Sequence, residues 1–373
     1  MPLSPSSSTP IGVAIAGLGF GESVHLPALA SNHGFEAVAL WHPRQERVEQ
    51  ASRAAELPGS SNFEQVLGDP AVEAVVIATP PAARFELAKQ ALLAGKHLLL
   101  EKPVALNASE AQQLEQLALE RGLICAVNFE YRAVPAFQQL AALLHQGWVG
   151  DPWLLRFDWL MGSRANPQRP WNWYSQQALG GGVLGALGSH AFDMMQWLVG
   201  PIRQVQAQLS VAISERPKAD GSGMGVVDAA DTAFAQLQLE PQWPRARQQL
   251  SAQIALASTA RQGRGCWMEI YGSEGTLVLG SSNQSDYVHG FSLQGAKGGG
   301  VLAPLPPDPS LSFARSWEDG RIAPVTRLIG WWADAVRQQR PMVPGLLEGL
   351  ASQQVMDACL SSHQSGQSLR LGP

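Results

Sequence analysis

Lysine, cysteine and long apolar runs are all scarce in this sequence, and each shortage excludes a class of protein. Only five of the 26 basic residues are lysines (Lys89, Lys96, Lys102, Lys218 and Lys297), against 31 acids and a net charge of −5. A mildly acidic, lysine-poor chain is a poor match for nucleic acid, whose binding needs cations that displace counterions. Cys125, Cys266 and Cys359 lie far apart, in no CxxC arrangement. That excludes a disulfide framework and a zinc site, leaves no metal expected, and suits a reducing cytoplasm. No apolar stretch approaches the roughly 18 residues of a membrane span, so no membrane partner is expected. The Ser/Pro-rich residues 1–10 lack the basic start of a signal peptide and read as a disordered tail. Charged residues make up 15% of the chain and hydrophobic residues 45%, which excludes a disordered protein. At 373 residues the chain exceeds what one core normally fills, so two domains are expected.

What is present is strand and helix in alternation. Residues 11–17 form an apolar run ending in glycine, as in a strand buried on both faces. A helical stretch to about residue 30 follows, then strand (35–41), helix (44–56), strand (72–80), helix (82–94), strand (97–100), helix (107–121) and strand (123–129). Asn107 sits at the N-cap of the last helix, with Glu110 three residues on and Gly122 behind it. This order implies a parallel, right-handed, doubly wound sheet. After about Arg132 the texture changes. A helix (135–146) leads to residues 152–161, in which Trp153, Leu155, Phe157 and Trp159 alternate with polar neighbours. That stripe reads as sheet core or an oligomer contact. Further strands at 204–212, 232–239, 248–257 and 267–279 describe an open antiparallel sheet, with loops at 217–225 and 298–309. Two closing helices, about 325–338 and 345–362, are separated by Pro341 and Pro344.

Four clusters carry chemistry. The first is GLGFGES, residues 17–23, between strand one and helix one, where a dinucleotide fingerprint sets pyrophosphate on backbone N–H groups. Gly17 and Gly19 fit G-x-G-x-x-G; Glu22 holds the third glycine's place and Gly21 comes one residue early. Glu22 would repel a phosphate unless it points away. The second cluster is Trp41-His42-Pro43-Arg44, at the end of strand two. It lacks the acid that binds the adenine ribose of NAD, and Arg44 could pair with a 2′-phosphate instead, so NADP is expected in preference to NAD. The bland reading leaves Arg44 solvated at a helix start. The third cluster is Glu101-Lys102-Pro103, at a strand's carboxyl end, where open α/β sheets bind ligands. Lys102 there can donate to a substrate oxygen. In the fourth, residues 180–197, His190 and Asp193 share one face at a helix start, which keeps the imidazole neutral and able to take a proton. Trp171 and Trp173 either form a wall for a sugar ring or plug a domain interface.

Together these motifs resemble the glucose–fructose oxidoreductase / inositol dehydrogenase / MocA family. The resemblance is carried by the glycine turn with His25 after it, Thr79-Pro80, AGKHLLLEKP (residues 94–103), VNFEYR (127–132) and GGGVLGALGSHAFD (180–193). It implies a Rossmann dinucleotide-binding domain at 11–130 and a C-terminal α/β substrate and oligomerisation domain at 131–373 with a large, mostly antiparallel open sheet. It further implies homodimers or homotetramers built on that sheet, and NAD(P)-dependent chemistry on a sugar, polyol or related compound, with Lys102 and His190 catalytic. Gly17, Gly19, Phe20, Gly21, His42, Arg44, Thr79, Pro80, Glu101 and Lys102 are the expected cofactor contacts. Arg132, Trp171, Trp173 and Asp193 are the expected substrate contacts. One position departs from the pattern: many dehydrogenases of the family carry Asp four residues before the histidine, and here that residue is Ala186. The alternative function is a dinucleotide-binding sensor of the same fold that has lost catalysis.

Overall fold

The computed structural model describes residues 9–243, 249–283 and 290–372. Residues 1–8 of the expected tail, and Gln248 at the start of one expected strand, lie outside the described residues.

The first half is a six-stranded parallel sheet of β1 (Ile11–Ala16), β2 (Phe35–Trp41), β3 (Gly59–Ser60), β4 (Ala74–Ile77), β5 (His97–Leu100) and β6 (Cys125–Val127). Its order is β3-β2-β1-β4-β5-β6, doubly wound as expected. Every residue of β1 and β4 is buried, as their unbroken apolar runs require. The crossovers are α1 (Leu26–Ala30), α2 (Gln45–Ala55), α3 (Phe63–Gly68), α4 (Pro81–Leu93) and α5 (Ala108–Arg121). Asn107 caps α5 by accepting from Glu110 N at 2.9 Å, and Glu110 reaches back to Leu106 N at 3.0 Å. Two short elements, β3 and α3, escaped the sequence reading; six residues hold too little periodicity to register. The strand expected at 123–129 shrinks to β6, because the chain turns at Asn128 into a 3₁₀ turn, Glu130–Ala133.

The second half comprises α6 (Pro135–His145), β7 (Pro152–Leu160), α7 (Ser189–Leu198), β8 (Ile202–Ser210), β9 (Glu215–Pro217), β10 (Met224–Val226), β11 (Thr232–Leu239), β12 (Leu250–Ala257), β13 (Gly265–Gly272), β14 (Gly275–Ser281), β15 (Ser292–Lys297), β16 (Ala303–Pro304), α8 (Ile322–Gln338), α9 (Leu346–Ser365) and β17 (Leu369–Arg370). Among the described residues, nine strands form one sheet in the order β16-β15-β14-β13-β7-β12-β11-β8-β17, antiparallel except where β12 runs parallel to β7. The single strand expected at 267–279 is a hairpin. Its turn, Ser273-Glu274, is held by bonds from Ser273 N to Asp151 O and from Glu274 N to Val149 O, both 2.9 Å. The loop expected at 217–225 closes a small β9–β10 hairpin, and β16 interrupts the one expected at 298–309. In β7, Leu155, Phe157 and Trp159 are core, whereas Trp153 is 59% exposed and leaves the stripe.

One face of this sheet buries Phe137 of α6, Phe192 and Met195 of α7, and Val355 and Met356 of α9. The other face is open and carries Phe234, Gln236 and Gln253. The closing helices stitch the halves together. α8 packs into the core of the first sheet, where the Trp332 ring lies 4.3 Å from that of Phe35. α9 gives Leu346 to the first sheet's core and Cys359 to the second's. The carboxyl ends of β1, β4 and β5 are thereby held facing the start of α7.

Candidate active site

A cavity of about 610 Å³ lies in that gap, lined from both halves. On its first-half side is the glycine turn. Gly17 has φ +98°, and a Cβ there would fall 2.7 Å from the carbonyl carbon of Ala78, so only glycine fits. Nothing stands within 4 Å of where a Gly19 Cβ would be, which leaves that backbone open to a ligand on the cavity side. A Cβ on Gly21 would meet Ile15 Cγ2 of β1 at 2.8 Å. Gly21 therefore does the close helix–strand packing of a fingerprint's third glycine, one position early. Glu22 is paired with Arg47, which also donates to Leu18 O at 3.0 Å. The acid at the third-glycine position is thus neutralised by α2.

Phe20, Thr79 and Pro80 line the cavity, and so does His42. His42 Nδ1 accepts the Arg44 N–H at 3.1 Å, so the neutral ring carries its proton on Nε2. Burial lowers the His42 pKa, helped by the charges of Arg44 and Arg47. The Arg44 side chain is exposed beside the cavity, outside its lining. Thr79 Oγ1 is buried with no hydrogen-bond partner among the described residues. An open glycine backbone, a buried unpaired hydroxyl and a donor-ready imidazole together fit a dinucleotide.

Glu101 is buried and accepts from His25 Nε2 at 2.9 Å and Asn128 Nδ2 at 2.7 Å. Burial works against its charge, yet the His25 bond and the charges of His25, Lys102 and Arg84 hold its carboxyl below the usual range. Arg84, buried on α4, donates to the carbonyls of Thr79 and Pro103 and so ties the ends of β4 and β5 together. Burial brings its guanidinium down to about 10 against the pull of Glu101. The next residue of the motif, Lys102, reaches across the gap and donates from Nζ to the Ala186 carbonyl at 3.0 Å. Burial lowers its pKa, with Glu130 and Glu101 opposing.

His190 stands on the first turn of α7, only 4% exposed, with its ring 4.8 Å from Tyr131 in an edge-on packing. Burial, joined by the Lys102 charge, drives its pKa well below 6.5, which leaves a neutral imidazole. Its Nε2 lies 3.8 Å from Oε1 of Glu130. Asp193 and Arg132 are elsewhere: they form a buried bidentate pair at 2.6 and 2.9 Å, off the cavity, so neither is presented to a ligand. Trp173 lines the cavity; Trp171 packs on the β9–β10 hairpin, its Nε1 donating to Val226 O at 2.8 Å.

Sequence reasoning missed three charged lining groups: Arg84, Glu130 and Arg321. Arg321 lies over the Phe20 ring and pairs with Asp319. Glu130 was visible inside VNFEYR, but nothing local marks a glutamate after a strand as buried. Among the described residues no cluster of His, Cys, Asp or Glu is suited to a metal, and no helix is long and apolar enough to cross a membrane.

A dinucleotide cradle at the switch point of a doubly wound sheet, faced by a lysine and a neutral histidine, defines a nucleotide-dependent oxidoreductase. The chain belongs to the glucose–fructose oxidoreductase / inositol dehydrogenase / MocA family: the oxidoreductase family's NAD-binding Rossmann fold matches residues 11–129, and its C-terminal alpha/beta domain matches 141–371. It is 45% identical over 354 residues, 94% of both chains, to an uncharacterized oxidoreductase of Synechocystis. Levoglucosan dehydrogenase of Pseudarthrobacter phenanthrenivorans is 27% identical over 76% of both chains. A levoglucosan dehydrogenase structure in complex with NADH and L-sorbose shares the fold, with a TM-score of 0.85 and 23% identity over 98% of this chain and 100% of that one.

Proposed function

We propose that this protein interconverts a secondary alcohol and its ketone on a sugar, polyol or related compound, with Lys102 and His190 as the catalytic pair and NADP preferred over NAD. The observation that carries this reading is that the Lys102 ammonium and a neutral His190 line the same cavity as the glycine turn. When bound, the nicotinamide supplies or accepts a hydride. In oxidation, Lys102 donates to the substrate oxygen and His190 Nε2 takes the hydroxyl proton; in reduction His190 returns it. Trp173 offers an aromatic wall suited to a sugar ring. Relatives named as levoglucosan and scyllo-inositol dehydrogenases support a sugar or polyol as substrate. A cofactor-binding sensor would need neither Lys102 nor His190. The exposed face of the nine-stranded sheet is the surface for a homodimer or homotetramer. Three buried, unpaired cysteines suit the cytoplasm.

The test is cofactor absorbance at 340 nm with purified protein, NAD(H) or NADP(H), and a panel including levoglucosan, inositols, aldoses and their ketones. Turnover on a panel member supports the reading, and cofactor binding with none turned over favours the sensor. The NADP preference rests on His42 and Arg44, with no acid at the end of β2. Arg44→Asp should weaken NADP binding about tenfold or more, the size of a lost charge-assisted hydrogen bond, and spare NAD. Unchanged relative affinities would reject Arg44 as a phosphate ligand.

A further inference from the structure

Glu130 is the one cavity-lining carboxyl whose surroundings leave it without an obvious task. It is 4% exposed, and Oε2 has no hydrogen-bond partner among the described residues. By contrast, Glu101 is committed to His25 and Asn128. A buried carboxyl oxygen left without a hydrogen bond is costly, so its retention needs a reason. Its other oxygen lies 3.8 Å from His190 Nε2, just outside hydrogen-bond reach, and such pairs tighten when a site is occupied. Nothing else serves the imidazole: His190 Nδ1 is buried and unpartnered among the described residues. Ala186, one turn earlier on the same face, offers only its carbonyl, which Lys102 already occupies.

We propose that Glu130 is the proton store of the active site, exchanging the reaction's one proton with His190. The idea rests on the catalytic reading of His190 above. In reduction the Glu130 O–H bond breaks as an N–H bond forms at His190 Nε2. That N–H then breaks as the substrate's carbonyl oxygen becomes a hydroxyl, while the carbonyl carbon takes the hydride. Oxidation runs the sequence backwards and returns the proton to Glu130. The charged groups around the carboxyl are Glu101 and Lys102 from the β5 end and Arg321 ahead of α8, and the neutral, titratable His190 faces it from α7. Burial, reinforced by Glu101 and opposed by Lys102, by a hydrogen bond from its own backbone N–H and by Arg321, pushes Glu130 up to about 8. At neutral pH it therefore holds the proton that reduction consumes, while oxidation gains as that proton leaves. His190, held well below 6.5, cannot produce a titration in this range.

The experiment compares wild type, Glu130→Gln and Glu130→Asp. Reduction and oxidation rates are measured from pH 6 to 10 on the panel substrate turned over fastest, and the carboxyl band is followed by infrared difference spectroscopy without substrate. In wild type, reduction should fall and oxidation rise through a titration near pH 8. Glu130→Gln should abolish that titration and its infrared band and slow reduction on the order of tenfold, with cofactor KM unchanged. Glu130→Asp keeps a carboxyl and should keep a titration. Adding Ala186→Asp to Glu130→Gln places a carboxyl one helical turn before His190 and should restore part of the rate. A Glu130→Gln enzyme with wild-type rate and profile overturns the proposal, as does the absence of a titrating carboxyl band in wild type. If His190→Ala is fully active, the underlying reading fails instead; an inactive His190→Ala beside an unaltered Glu130→Gln sinks the proton store alone.

Discussion

His190→Ala should lower turnover by about 10²–10⁴-fold, the usual worth of a positioned acid–base group, and leave cofactor affinity within about twofold. The two effects separate because of where the residue stands. His190 comes from α7 in the second half, while the glycine turn, His42 and Thr79 that fit the dinucleotide all come from the first. The imidazole is neutral because burial and Lys102 make its protonated form expensive. Removing it therefore takes away a proton acceptor and leaves no stranded charge. Substrate KM should change little, since the loss falls on a contact made in the transition state. Turnover and cofactor titration on the same preparation check this; full turnover would remove His190 from the mechanism.

Arg132→Ala should cost the fold about 3–5 kcal/mol, the usual penalty for leaving one member of a buried ion pair alone. Both partners are buried and joined by two hydrogen bonds, and Arg132 also lies 5.5 Å over the Trp197 ring. Urea unfolding should show the loss directly. The double variant Arg132→Met with Asp193→Leu should recover much of it, because no unpaired charge then remains. Activity should fall as well. Arg132 shares its 3₁₀ turn with Glu130, and Asp193 lies one turn along α7 from His190. The ion pair fixes two elements at the separation that puts Glu130 3.8 Å from His190. Arg132 and Asp193, expected from the sequence to meet substrate, are better described as the clamp that sets the distance between Glu130 and His190.

That change of role marks how far the sequence could be read. The doubly wound half was legible because its signals are local: buried strands as apolar runs, glycine at Gly17 and Gly122, and an asparagine cap at Asn107. The positions of Lys102 and His190 were legible because strand ends and helix starts are punctuated by proline and glycine. The Ser273-Glu274 turn carried its own signal, glycines on both sides, and was passed over inside a long β-rich stretch. Other features had no local signature. Arg84 sits on a helix like any surface arginine, and only the packing of α4 onto the strand ends buries it. The burial of Glu130, and the pairing of Arg132 with Asp193 instead of a ligand, depend on contacts between elements far apart in the chain. The sequence marked a closing helix at about 325–338, but not that its apolar face belongs to the first sheet.

The placement of α8 has a consequence for how the molecule is made. A nascent chain emerges in order, and the first sheet is complete in backbone once β6 has appeared. Its packing is not, because Trp332 and the rest of the α8 face arrive about 200 residues later, roughly 10–40 s at ordinary rates of synthesis. During that time Phe35 and the apolar surface around it stand uncovered on a tethered, half-made protein. The dinucleotide-binding half cannot mature before the second half is nearly finished, and a chain interrupted ahead of α8 leaves the ribosome with an adhesive face.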